Sequence, residues 1–249
     1  MSKIDLNNIS HSYNPNDPNP IYALNPFSMT WENGKRYAIL GPSGCGKTTM
    51  LNIVSGLVRP SKGSILFDDK DVTDLKTESR NIAQVFQFPV IYNTMTVYEN
   101  LAFPLKCRDF LKDKIDERVK SVADTLNLQS FLNSPARKLT ADQKQLISLG
   151  RGLVREDVAA VLMDEPLTVI DPDLKFRLRR KLKEINEEFK TTLVYVTHDQ
   201  NEAMTFADNI IVMSEGEVVQ AGTPKELFER PNTTFVGYFI GSPAMNLFE

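Results

Sequence analysis

The 249-residue chain is short of cysteine, tryptophan, histidine and net charge: two, one and two residues of the first three, and 29 Lys and Arg against 32 Asp and Glu. Each shortage removes a class of protein. Two cysteines cannot build the disulfide framework of a small secreted domain. One of them, Cys45, falls inside a glycine-rich loop, so a reducing compartment is expected. A formal net charge of −3 gives no basic stripe, and no nucleic-acid partner is expected. Apolar runs such as Val158 to Met163 fall far below the about 20 residues that span a bilayer. The start, Met1-Ser2-Lys3-Ile4-Asp5, carries no signal-peptide core. Any attachment to a membrane is therefore expected through another subunit. Internal repeats, low-complexity tracts and sustained heptads are absent too.

What the chain does have is Gly41-Pro42-Ser43-Gly44-Cys45-Gly46-Lys47-Thr48-Thr49, a full match to the phosphate-loop pattern G-x-x-x-x-G-K-[ST]. Tyr37 to Leu40 before it reads as a strand, and Thr49 to Val54 after it as the first turns of a helix. Glycines let backbone N–H groups close around phosphate oxygens. Lys47 supplies a point charge for the outer phosphates, Thr48 a hydroxyl for Mg²⁺, and the helix start a partial positive charge. These residues predict binding of ATP with Mg²⁺.

Along the chain, the first forty residues alternate as strands, broken by the loop Asn14 to Pro20. Short strands are predicted at Ser64–Phe67 and Ile82–Phe86. Ile115, Val119, Val122 and Leu126 recur at helical spacing, and a second helix is predicted from Thr140 to about Arg155. A βαβ rhythm then returns, which argues for a parallel sheet. Val158 to Met163 reads as a buried strand and Asp171-Pro172 as a helix start, with Leu174, Leu178, Leu182, Ile185 and Phe189 on one face. Thr192 to Val196 is the next strand. Glu215-Gly216 turns a hairpin between Ile210–Met213 and Val218–Gln220.

Three further features belong with the phosphate loop. The apolar strand Ala160 to Met163 ends in Asp164-Glu165, two carboxylates where open α/β sheets place ligand chemistry. Asp164 suits a Mg²⁺ ligand, acting through the ion's water shell, and Glu165 a general base for an attacking water. Taken alone, the pair would read as solvated acids capping a strand. His198 closes the strand Leu193 to Thr197 and suits a γ-phosphate sensor. Gln87 closes the strand before the helical stretch, where its amide could reach Mg²⁺ or the water.

With these motifs the chain resembles, over essentially its whole length, the ATP-binding subunit of an ABC transporter, and most of all the importers of sugars, glycerol phosphate and polyols. The resemblance implies an α/β phosphate-loop NTPase with a mainly parallel RecA-like core sheet, an N-terminal antiparallel β-subdomain and an inserted helical lobe. It implies one ATPase domain over 1–249, with core 1–87 and 157–230, lobe 88–156, and a tail 231–249 that starts a missing or truncated regulatory domain. Gly41 to Thr49 become the Walker A motif and Gln87 the Q-loop glutamine. Asp164 and Glu165 become Walker B, Thr168 to Asp171 the D-loop, and His198 the switch histidine. Lys47, Gln87, Glu165 and His198 are then catalytic, and Thr48, Gln87 and Asp164 hold the metal. Tyr13 falls where the family stacks an aromatic on adenine, with Tyr22 as a substitute. Thr94 to Leu101 resembles the stretch that abuts the permease. The implied partners are a second ATPase subunit, two transmembrane permease subunits and, indirectly, a solute-binding protein, at the cytoplasmic face of the cell membrane.

The resemblance breaks at the signature. The family reads Leu-Ser-Gly-Gly-Gln, and this chain Leu139-Thr140-Ala141-Asp142-Gln143. Thr140 and Gln143 still form a capping box. In the family this segment touches the γ-phosphate held by the partner subunit, where Ala141 and Asp142 each add a Cβ. At an effective dielectric near 20, unit charges about 5 Å apart repel by roughly 3 kcal/mol. The D-loop also departs, with Val169 and Ile170 before Asp171. The elements acting within the subunit are intact and those reaching across are altered, so pairing with a different ATPase subunit is expected. A working homodimer with a tolerated variant signature is the competing expectation. Two other classes stay in view: a soluble non-transport ABC ATPase, and a regulatory nucleotide-binding subunit with weak turnover.

Overall fold

In the computed structural model, residues 2–168 and 170–241 are described. Two sheets and eight α-helices organise them. A four-stranded antiparallel sheet is built from β1 (Ile4–His11), β2 (Leu24–Trp31), β4 (Lys62–Phe67) and β5 (Lys70–Asp71), in the order β2-β1-β4-β5. The larger, six-stranded sheet contains β3 (Arg36–Leu40), β6 (Ile82–Val85), β7 (Ala160–Asp164), β8 (Thr192–Thr197), β9 (Asn209–Ser214) and β10 (Glu217–Gly222). Its order is β10-β9-β3-β8-β7-β6, parallel except for the edge strand β10. Helix α1 (Lys47–Ser55) follows the phosphate loop, and α2 (Val97–Lys106), α3 (Lys112–Thr125) and α4 (Ala141–Leu153) make the helical stretch. Four more helices complete the set: α5 (Pro172–Phe189), α6 (Gln200–Phe206), α7 (Pro224–Glu229) and α8 (Thr234–Ile240).

The strands of the large sheet read as unbroken apolar runs because both faces are covered, and the pleat divides their side chains. In β7, Val161 and Met163 face the cluster formed with α2, α3, α4 and α5, while Ala160 and Leu162 face the one formed with α1 and the small sheet. Strand β8 splits in the same way, Leu193 and Tyr195 against Val194 and Val196. The buried residues of the helical stretch thus share one core with β6, β7 and α5 rather than enclosing their own.

Helix starts follow their caps. Thr96 and Glu99 form a capping box at α2, Asp171 accepts from the Asp173 N–H at 3.0 Å, and Asp199 accepts from Asn201 and Glu202 at 2.8 and 3.2 Å. The expected box at α4 also forms, with Gln143 Oε1 accepting from the Thr140 N–H at 3.1 Å. Helix α4 ends at Leu153, two residues before the predicted boundary, and strand β6 ends at Val85, so Gln87 lies two residues beyond its strand.

Candidate functional site

Register places the chemistry at one end of the sheet. Leu40, the last residue before the phosphate loop, pairs with Thr197, the last before His198, and Asp164 pairs with Val196. Strands β3, β8, β7 and β6 are neighbours, so their carboxyl ends deliver the loop, His198, Asp164-Glu165 and Gln87 to one crevice. A cleft of about 610 Å³ opens there, lined by Tyr13, Ser43, Gly44, Gly46, Lys47, Thr48, Thr49, Gln87, Glu165, Thr168 and His198 among others.

The loop's shape depends on glycine at two positions. Gly46 has φ +100°, and a Cβ there would lie 2.5 Å from the Ala23 carbonyl oxygen. Gly44, at φ +81°, would meet no protein atom within 4 Å, so conformation alone demands glycine and leaves its backbone open to the cleft. Lys47 is buried, and its ammonium donates to the Gly41 and Pro42 carbonyls at 2.8 Å each, which fixes the charge inside the loop's curve. Cys45 is buried behind the loop, and burial pushes its thiol above the usual cysteine value, away from reactivity.

Asp164 lies beneath the cleft. Burial pushes its carboxyl above the ordinary value, opposed by a hydrogen bond from Thr48; the Glu165 charge adds to the rise and Lys47 opposes it. A buried carboxylate against a hydroxyl, with an exposed amide at Gln87, is an all-oxygen donor set with room for phosphate oxygens, as Mg²⁺ requires. Among the described residues no cluster of three His, Cys, Asp or Glu side chains forms a self-contained cage for a harder-bound metal. Bound there, the ion would supply charge neutralisation for the phosphates.

Glu165 sits at φ +44°, a left-handed conformation that non-glycine residues rarely adopt. Its N–H donates to the Val196 carbonyl at 3.1 Å, and the Thr168 hydroxyl donates to the Glu165 carbonyl at 3.0 Å. This turn aims the carboxylate at the cleft, where Oε2 lies 3.2 Å from His198 Nδ1. The histidine is held from behind. Buried Glu202 accepts from Tyr195 and Thr197 hydroxyls at 2.9 Å each and from Arg179 at 3.1 Å, which locks the end of β8 against α5.

Tyr13 stands 60% exposed at the far end of the cleft, its hydroxyl 3.1 Å from the Thr49 hydroxyl. Tyr22 does not line the cleft. His11 supports the Tyr13 ring edge-on, with centroids 4.6 Å apart, and its Nδ1 lies 3.3 Å from the Ser61 hydroxyl. Nothing in the sequence singles out His11, because it is buried by partners distant in the chain: Leu24, its pair on β2, and Ser61.

Burial pushes the His11 imidazole below its ordinary value. The unfolded chain therefore takes up a proton that the folded imidazole resists, so the fold loses stability as pH falls below about 6.5. Replacing His11 with Gln should flatten this slope. The wild type should lose more melting temperature than the variant between pH 7.5 and 5.5, and equal losses would refute the assignment.

At the signature, Thr140 is exposed and its hydroxyl donates to the Asp142 carboxylate, while Ala141 is exposed beside it. No salt bridge reaches Asp142 among the described residues. The D-loop residue Val169 and the tail from 242 onward lie outside the described residues. Two further residues matter here. Thr168, the first residue of the D-loop segment, reaches the Glu165 carboxylate through its hydroxyl, and Gln145, buried in α4, carries no motif of its own.

A parallel sheet with a phosphate loop, an acidic strand end and a histidine at one crevice defines a phosphate-loop nucleoside-triphosphatase. A family profile described as ABC transporter matches residues 24–168. The chain is 43% identical over 247 residues to the sn-glycerol-3-phosphate import ATP-binding protein UgpC 3 of Agrobacterium fabrum, covering 99% of this chain and 69% of that protein. It is 44% identical over 235 residues to the trehalose/maltose import ATP-binding protein MalK of Thermococcus litoralis, covering 92% and 63%. Among solved structures, cbiO1 from Clostridium perfringens matches with TM-score 0.80 at 28% identity, over 91% of this chain and 90% of that one. A dimeric ATP-binding cassette, MJ0796, in a post-hydrolysis state bound to ADP and Pi, matches with TM-score 0.79 at 29% identity, over 89% and 98%. The chain belongs to the ABC transporter family, as an ATP-hydrolysing cassette. Among its described residues no helix is long and apolar enough to cross a membrane.

Proposed function

We propose that this chain binds ATP with Mg²⁺ in the cleft and hydrolyses it to energise uptake of a small polyhydroxy solute (a sugar, glycerol or a related polyol) through membrane permease subunits. The observation that carries the reading is the delivery of Lys47, Asp164, the Glu165–His198 pair and Gln87 to one crevice by four adjacent strands. Lys47 and the loop amides hold the phosphates, and Tyr13 offers an aromatic face to the base. Glu165 accepts the proton of the attacking water, and His198 sits where the terminal phosphate leaves. The relatives named for import of sn-glycerol 3-phosphate and of trehalose or maltose support the solute class.

The permease-facing surface follows from exposure. Of Thr94 to Leu101, Val97, Asn100 and Leu101 are buried in α2. The apolar atoms offered to a partner belong to the preceding strap, with Phe88 71% and Val90 53% exposed beside Phe86 and Tyr92. Such a surface suits docking at the cytoplasmic face of the membrane. Copurification of the permease pair with the wild type, and its loss on Phe88→Asp, is the direct test.

Within the ATPase pair, we read this chain as working beside a different ATPase subunit. The Asp142 carboxylate at the start of α4, held by Thr140, places negative charge where a partner's phosphate would meet the helix end. Restoring Ala141→Gly and Asp142→Gly should then raise ATPase activity of the assembled transporter by several-fold. An unchanged rate favours a homodimer in which the variant signature is tolerated.

A further inference from the structure

Helix α4 carries a polar stripe that its apolar pattern hides. Gln145, Ser148 and Arg151 recur every three residues and lie on one face. All three fasten the strap of residues 86–92. The Ser148 hydroxyl accepts from the Val90 N–H at 3.3 Å, and Arg151 donates to the Val90 carbonyl at 2.6 Å with its guanidinium 4.6 Å above the Tyr92 ring. Gln145 does something different from the other two. Its Nε2 donates at once to the Phe86 carbonyl at 3.1 Å and to the Pro166 carbonyl at 2.9 Å. Phe86 precedes Gln87, and Pro166 follows Glu165. A single amide nitrogen therefore joins the backbone beside one cleft residue to the backbone beside another.

The amide orientation is not arbitrary. Both neighbours are carbonyl oxygens, so the nitrogen must face them, and both of its hydrogens are used. The side chain is 0% exposed, and its Oε1 has no hydrogen-bond partner among the described residues. Sealed from bulk solvent, the amide has no ready replacement for a bond that a displacement of about half an ångström in either carbonyl would stretch. The two carbonyls are thus constrained to move together or to part at a penalty.

We propose that Gln145 is a positioning residue that links the strap to the catalytic turn, so that movement of residues 86–92 is passed to the backbone carrying Glu165. The inference rests on the ATPase reading of the cleft and gives the exposed strap a route to the chemistry. Helix α4 is the rigid part, Ser148 and Arg151 are the outer fasteners, and Gln145 is the link.

The test uses the full chain and the methionine variant Gln145→Met, which keeps the length of the side chain and removes both donors. Hydrogen exchange is followed with and without the magnesium complex of a non-hydrolysable ATP analogue. In the wild type, nucleotide should slow exchange at 41–49 and alter it at 86–92. In Gln145→Met the response at 41–49 should persist while that at 86–92 is lost. ATP turnover should fall by about tenfold with KM for ATP unchanged, the split expected when a group acts on the reacting geometry rather than on binding.

A variant that keeps the 86–92 response, or a wild type that responds at 41–49 but not at 86–92, overturns the link and leaves the ATPase reading standing. No response at 41–49 in the wild type overturns the ATPase reading, and the link with it. Gln145→Glu provides a second readout independent of how Gln145→Met folds. A carboxylate there repels both carbonyls, whereas the neutral carboxyl donates to one. Its turnover relative to wild type should rise at least about threefold from pH 8.5 to 6.5. A ratio independent of pH overturns the proposal, because a group that merely fills space has no proton to gain.

Discussion

Replacing Glu165 with Gln is expected to lower ATP turnover by about two to four orders of magnitude while leaving MgATP affinity within a few-fold, the range a positioned general base contributes. The reason lies in how little else changes. Glutamine has the shape of glutamate and keeps the hydrogen bond from Thr168 to the main-chain carbonyl, because that bond does not involve the side chain. The left-handed turn at φ +44° and the bridge to Val196 also belong to the backbone. What disappears is a basic oxygen 3.2 Å from His198 Nδ1 at the edge of the cleft. Phosphate contacts are expected from the loop and from Lys47 at the start of α1, which follow a different strand, so binding should be preserved. Steady-state phosphate release, set beside titration of a fluorescent ATP analogue, separates the two quantities. Turnover within tenfold of wild type would remove Glu165 from the role of base. Parallel loss of binding and turnover would make it a structural residue.

The second large effect is on stability. Arg80 is 3% exposed and makes no salt bridge among the described residues; its guanidinium is spent on four backbone carbonyls. It donates to Leu75 at 3.0 Å, to Ile53 at 2.8 Å and Val54 at 3.0 Å, and to Thr73 at 2.8 Å. Ile53 and Val54 belong to the last turn of α1, whose terminal carbonyls need partners from outside the helix; Ile53 also accepts from the capping Gly56 N–H at 3.2 Å. A cation there also meets the negative end of the helix dipole. Gly56 completes the fit, since a Cβ would lie 2.6 Å from the Arg80 Nε. Burial depresses the Arg80 pKa without neutralising the group.

Arg80→Met fills part of the volume and strands several acceptors at once. With each unsatisfied buried acceptor worth about 1–3 kcal/mol, and some of them reached by water, the net loss is expected at about 3–5 kcal/mol. For a chain of this size that lowers the melting temperature by about 10 °C. Arg80→Lys should recover only part of the loss, because an ammonium has three donors and cannot span four carbonyls. Thermal melts of the three proteins decide the matter, and a methionine variant within 2 °C of wild type would show that α1 does not depend on this cap. Because α1 begins at the phosphate loop, the same variant should also weaken nucleotide binding.

Much of the site was legible because its motifs are local. Gly41 to Thr49 form a strand–loop–helix unit whose geometry is dictated by neighbours in sequence, and Asp164-Glu165 and His198 each end an apolar strand. Periodicity found α3 and α5 for the same reason, since one face of each is buried. Less legible was anything that depends on what a residue meets across the fold. His11 reads as one polar residue of a strand, yet it supports Tyr13. Arg80 belongs to no local motif, yet it is buried under α1. Gln145 falls within the helix predicted from Thr140 with no motif to mark it, yet it is sealed between the strap and the turn that carries Glu165. The helical stretch shows the same limit. Its pattern suggests an inserted lobe, and only the fold shows that the lobe's apolar residues share a core with β6, β7 and α5.

By itself, then, the sequence determined the chemistry: a phosphate loop, an acidic strand end, a histidine and an altered signature, each encoded in a few consecutive residues. Tertiary structure alone decided how these are aligned and linked. Strand order and register bring four distant segments to one crevice, and buried side chains such as Gln145, Glu202 and Arg80 hold them in place. The physical reason is that backbone preference and phosphate geometry act over a few residues. The satisfaction of a buried donor or acceptor depends on partners that only the completed fold brings within hydrogen-bonding distance.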